Sequence, residues 1–139
     1  MNTKEYLGSI RELSDRIKRL QETRESIRND LYSIGGIDYE KDKVQTSVSD
    51  DRMINLIARV VEIEKDLIRE IAELTETRNA IVHQIDEVPN RRCRDLLYER
   101  YVLCKNMAHI SVDWDRDIRY LYRLQRKAIW SFEKVVNGH

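Results

Sequence analysis

An all-α fold is what this sequence predicts: a coiled-coil-like antiparallel helical hairpin over residues 1–88, then a three-helix module over residues 89–139. Three observations carry that expectation. Only four Gly and one Pro interrupt the 139 residues, so long helices meet few obstacles. Charged residues reach 36% while hydrophobic ones hold 41%, the mix found in helices with one apolar stripe and a salt-bridged outer face. Apolar residues also recur at alternating intervals of three and four through most of the chain, the helical period.

The first helix shows this period most plainly. Ile10, Leu13, Ile17, Leu20, Ile27, Leu31 and Ile34 form one seam, with Arg24 in its polar slot. Gly35-Gly36 stops it, and residues 35–49, which carry no helical stripe, read as a mobile loop. A second helix is expected from Ser49, a natural N-cap, with Asp50 and Asp51 suited to the positive end of its dipole. Its seam reads Met53, Ile57, Val60, Glu64, Leu67, Ile71, Leu74, Arg78, Ile81, Ile85 and Val88. A further row, Ile54, Val61 and Ile68, is more apolar surface than one neighbouring helix needs. It reads equally as packing for the C-terminal module or as the seam of a homo-oligomer or other protein partner.

Pro89-Asn90 ends the second helix and caps a third, which runs through Leu96, Leu97, Tyr101 and Val102. A short helix over 107–112 and a long one from Asp117 to Val136 follow. Three helices of these lengths, the last one basic, fit a helix-turn-helix plan.

The formal charge is zero, but unevenly spread. Residues 1–90 hold 14 Lys/Arg against 19 Asp/Glu, and residues 91–139 hold 11 against 6. A basic module on an acidic arm is the asymmetry expected when one part meets nucleic acid. No apolar run approaches the ~20 residues of a membrane helix, the start carries no signal-peptide pattern, and Cys93 and Cys104 form no disulfide framework, so a cytoplasmic protein with no membrane partner is expected.

Catalytic templates find no match: there is no phosphate loop, nucleophile elbow or metal-spaced His pair, so neither enzyme activity, cofactor, metal nor small-molecule substrate is expected. Cys93 and Cys104 read as packing thiols. Asp113, Asp115 and Asp117 open like a calcium loop but meet Ile118 at the sixth position and Leu124 at the twelfth. They read instead as turn residues, with Asp115 tolerating a left-handed backbone and Asp117 capping the last helix.

In that last helix Leu121, Leu124, Ala128 and Phe132 fall on one face, leaving Arg119, Tyr120, Arg123, Arg126 and Lys127 largely outward, with Arg116 just before them. Cations with an interleaved aromatic suit a helix in a DNA groove. Arg91, Arg92 and Arg94 sit in the first turn of the third helix, where the dipole disfavours cations and a DNA phosphate would supply the anion.

Taken with Lys4-Glu5-Tyr6-Leu7, Lys43-Val44-Gln45-Thr46-Ser47, Asp51-Arg52-Met53, Pro89, Arg100-Tyr101 and Tyr122-Arg123-Leu124, the chain resembles bacteriophage and prophage proteins related to RinA-type late-gene activators, whose C-terminal module is similar to region four of sigma factors. The resemblance spans nearly the whole chain. It implies transcription regulation through double-stranded DNA, in a bacterial host, with contact to RNA polymerase. The sequence departs from the family pattern at Cys104–Met107, Ala108–Ser111 and Asp115. Those departures favour the alternative: a non-enzymatic helical protein-interaction module without specific DNA binding.

Overall fold

The computed structural model describes residues 2–35 and 42–138, with backbone alone for 35 and 42–49. The protein is all-helical, with no strand among the described residues: α1 (Thr3–Leu7), α2 (Ser9–Gly35), α3 (Asp42–Asp86), α4 (Arg91–Leu97), which runs on into a π turn (Tyr98–Val102), α5 (Met107–Trp114) and α6 (Ile118–Asn137). None of the described helices is long and apolar enough to cross a membrane. Two compact units result: a core unit of Met1–Ser14 with Glu73–His139, and a paired-helix unit of Asp15–Ala72. The division therefore falls within α2 and α3 and not at residue 89, because the last turns of α3 bury their apolar face with the C-terminal helices.

In the paired-helix unit, α2 and α3 run antiparallel. Arg16 Nη2 meets Glu70 Oε2 at 3.0 Å, while Arg28 Nη2 and Arg24 Nη1 meet Glu64 Oε1 at 3.0 and 3.8 Å. Ile17 and Ile27 are buried with Ile63 and Leu67. The α2 seam read from sequence is the inward face, since its members in this unit, Leu20, Arg24, Leu31 and Ile34 included, are buried or half-buried.

The α3 seam needs correcting. Ile57 and Ile71, expected inside, are 48% and 46% exposed, whereas Ile63 is buried and Leu56 half-buried. Apolar residues stand at both 56/57 and at 63 against Glu64, so the spacing admits two phases one residue apart, about 100° around the helix. The inward phase takes Leu56, Ile63 and Glu70, with Glu70 held by Arg16, while Glu64 stands beside the seam, held by Arg28 and Arg24.

The start of α3 also differs from expectation. Asp42–Ser49, assigned to the mobile loop, are helical, and residues 36–41 lie outside the described residues. Lacking Gly and Pro, 42–49 can join the preformed helix beyond them without an apolar stripe, because extending a helix costs far less than starting one.

The core unit encloses one cluster. Leu7 and Ile10, Ile81, Ile85 and Val88, Leu96 and Leu97, Ile110, and Leu121, Ala128 and Phe132 all contribute fully or almost fully buried side chains. Each large one contributes roughly 1.5–3 kcal/mol by burial. The Tyr6 ring stacks on Phe132 with centroids 6.2 Å apart, and its hydroxyl donates to Gln84 Oε1 at 2.7 Å. The π turn, closed by Leu103 N–H to the Tyr98 carbonyl at 2.9 Å, turns the neighbours Tyr101 and Val102 both into this cluster.

Candidate functional site

Side-chain caps fix where α4, α5 and α6 begin. Asn90 Oδ1 accepts from Cys93 N–H at 3.1 Å, Asn106 Oδ1 from His109 N–H at 2.8 Å, and Asp117 Oδ1 from Arg119 N–H at 2.7 Å. Between α5 and α6, Asp115 holds φ 52° and ψ 50°, a left-handed residue that closes α5, and Arg116 N–H bonds the Ser111 carbonyl at 3.1 Å. The turn thus spans three residues, and α6 packs on α1, α4 and α5.

Leu121, Leu124, Ala128 and Phe132 face inward as read from sequence. Arg119, Arg123, Arg126 and Lys127 stand exposed. Across from them, Arg92 Nη1 donates to the Tyr120 hydroxyl at 2.9 Å, and the Arg116 guanidinium lies 5.6 Å from the Tyr120 ring centroid. A concave surface of about 740 Å³ is lined by Asn90, Arg92, Tyr120, Arg123, Arg126 and Lys127, with Leu124 at its floor. Tyr120 is half-buried and joins the core cluster, so the phenol is a fixed post to which Arg92 is tied.

Among the described residues, no carboxylate pairs with Arg92, Arg116, Arg119, Arg123, Arg126 or Lys127. Several cations converging without a counter-charge repel one another, and an arriving polyanion relieves that repulsion. Lys127 also reaches the neighbourhood of Cys93, whose thiol is pushed up by burial and only partly drawn back by the lysine. Cys93 therefore stays a neutral packing thiol.

The other two arginines of α4 take different places. Arg91 Nε stands 3.9 Å from Asp95 Oδ2 one turn on, a loose exposed pair. Arg94 is half-buried, and its Nη1 donates to the carbonyls of Val88 at 2.8 Å and Pro89 at 3.0 Å. It closes the chain between α3 and α4, a structural role in place of the surface role expected for it. The acids near the turn are similarly occupied. Asp113 pairs with Lys105 at 3.4 Å and with His109 Nε2 at 3.3 Å, while Asp115 and Asp117 end and begin helices.

Lys105 also meets Glu99 Oε1 at 3.1 Å, and Glu99 Oε2 accepts from Trp114 Nε1 at 2.6 Å. This bracket ties the π turn to α5, and the Glu99 hydrogen bond, foremost, raises the lysine's pKa.

Sequence reading missed two residues of the surface. Tyr122 is half exposed between Arg119 and Arg123, and Asn90 lines the concavity while it caps α4. Counting along α6, residue 122 falls one turn from 119 and 126, which was signal enough. Ile54, Val61 and Ile68 lie elsewhere, in the paired-helix unit, and all are exposed. No protein-family model, curated protein or solved structure matches the chain.

Proposed function

We propose that this protein is a transcription regulator of the phage late-gene activator kind, in which α4–α6 act as a helix-turn-helix and α2–α3 as a hairpin arm. The observation that carries the reading is the concavity where Arg92, Arg123, Arg126 and Lys127 gather around Tyr120 without acid partners among the described residues. The short α5, the left-handed Asp115 and the capped start of α6 support it, because a recognition helix needs a tight turn and a fixed N-terminal half. Arg119, Tyr122 and Arg123 occupy that half and are assigned to base edges; Arg92, Arg126 and Lys127 are assigned to phosphates. Contact with RNA polymerase and placement in a bacterial host follow from the resemblance alone.

Fluorescence anisotropy on duplexes selected from genomic fragments, and on scrambled ones, tests the reading at several salt concentrations. Arg123→Ala is expected to lose about 1–3 kcal/mol on the selected duplex and to narrow its margin over the scrambled one. Equal, weak, salt-insensitive binding to both duplexes by the wild type would sink it. The interaction-module alternative would then lead, favoured by the exposed Val112 on α5 and Trp130 on α6.

A further inference from the structure

We propose that two copies of this chain pair antiparallel through the exposed face of α3, about a two-fold axis between Val61 and Glu64. The inference concerns the paired-helix unit and does not rest on the nucleic-acid reading.

With the seam of α3 corrected, Ile54, Ile57, Val61, Ile68 and Ile71 fall on one exposed face at intervals of three and four, with Glu64 in the remaining slot. That spacing is what a second helix packing against α3 requires. Glu64 does not break the face, because Arg28 and Arg24 of α2 hold its carboxylate.

The face has a projection and a recess. Ile68 is 71% exposed. Leu31, Tyr32, Met53 and Ile57, with Arg28 at the edge, line an open apolar depression of about 360 Å³. Residues 57 and 68 lie equally far from the point midway between 61 and 64. A two-fold axis there sets Ile68 of each copy over the depression of the other, so both recesses fill at once, as an isologous interface demands. The same axis places Glu64 opposite Val61 of the second copy. A parallel pairing would leave each recess about 16 Å along the helix from the nearest Ile68, so neither would be filled.

A single helix face of six positions offers less than the ~800 Å² a side of a standard interface, so the dimer is weak and concentration-dependent.

Sedimentation velocity of the full chain, without DNA, from low micromolar to near-millimolar concentration is the test. The wild type is expected to move from monomer to dimer, and Ile68→Lys to raise the dissociation constant about tenfold or more with its helical circular dichroism kept. Glu64→Leu is expected to tighten the dimer. Orientation is read by mixing Ile57→Cys with Ile68→Cys under mild oxidation. A disulfide between the two variants, exceeding those within each variant alone and absent from wild type, supports the antiparallel pairing. A wild type monomeric throughout, an Ile68→Lys that associates unchanged, or cross-links mainly within each variant would each overturn the proposal.

Discussion

Helix α3 passes through two environments. Over Glu73–Asp86 it belongs to the core unit, where Ile81 and Ile85 are sealed on all sides by α1 and the C-terminal helices. Over Asp42–Ala72 it lies in the paired-helix unit, where Ile63 and Leu67 are covered but Ile54, Ile57, Val61 and Ile68 are not. The helix is richer in hydrophobic residues over 42–72 than over 73–86, so the difference in exposure comes from the number of neighbours. One partner helix covers only part of a helix's circumference, so a broad apolar face stays partly wet unless a third body arrives. Where α1, α4, α5 and α6 converge, the same kind of side chain falls to zero exposure.

Substitutions can break that comparison. Phe132→Ala is expected to cost about 3–5 kcal/mol, because the ring has no exposed edge and its neighbours cannot all collapse. Ile63→Ala should cost nearer 2 kcal/mol, since a two-helix seam relaxes into the space. Urea unfolding followed by circular dichroism compares them; equal losses would show that the units do not differ in packing.

A smaller effect separates structural from surface arginines within the core unit. Arg94→Ala is expected to cost about 1–3 kcal/mol, by uncapping the Val88 and Pro89 carbonyls, and to leave the salt dependence of any duplex binding unchanged. Arg92→Ala should do the opposite, lowering the salt slope by about one unit with little loss of stability. Thermal melts and salt titrations on both variants decide it.

Asp115→Gly is expected to raise stability by about 0.5–1 kcal/mol, because glycine accepts φ 52° without the steric cost that Asp carries. An unchanged or lowered melting midpoint would mean that the Asp side chain contributes more than its backbone costs.

The smallest effect is a pH dependence. Lys105 is raised above its ordinary 10.5 by Glu99 and Asp113, so its contribution is fully present below that value and is lost as pH rises through the folded value. The stability gap between wild type and Lys105→Met should be flat through neutral pH and close as pH rises on the alkaline side, which urea titrations at stepped pH would register.

How far the sequence spoke differed between the same two regions. In α6 the apolar residues Leu121, Leu124, Ala128 and Phe132 recur on one face, joined by the buried Gln125 and the half-buried Ile129, so the inward face was legible, and the caps at Asn90 and Asp117 followed from residue type. In α3, apolar residues stand on two adjoining faces, each with a glutamate held by α2, Glu70 by Arg16 and Glu64 by Arg28, so only the packing of Ile63 and Leu67 tells the inward one. Arg94 was misread for a related reason: a cation at a helix start looks idle until the carbonyls of the preceding turn come within reach. The π turn and the left-handed Cys104 at φ 59° carried no Gly or Asn to announce them. At the candidate surface, the clustering of cations was legible, but the Arg92–Tyr120 tie depends on two helices meeting.

The stacking of Tyr6 on Phe132 sets an order of events during synthesis. The ribosome releases Tyr6, Leu7 and Ile10 well before the ring and helix that cover them. At the ~5–20 residues per second of translation, these apolar groups wait on the order of ten seconds for their partners. Once α3 has emerged, α2 and α3 have each other, so the nascent chain acquires its paired helices before its N-terminal turn is covered. A stalled ribosome or a stop codon before Phe132 would therefore expose both ends of the cluster at once, leaving a product suited to chaperone capture and proteolysis more than to partial activity.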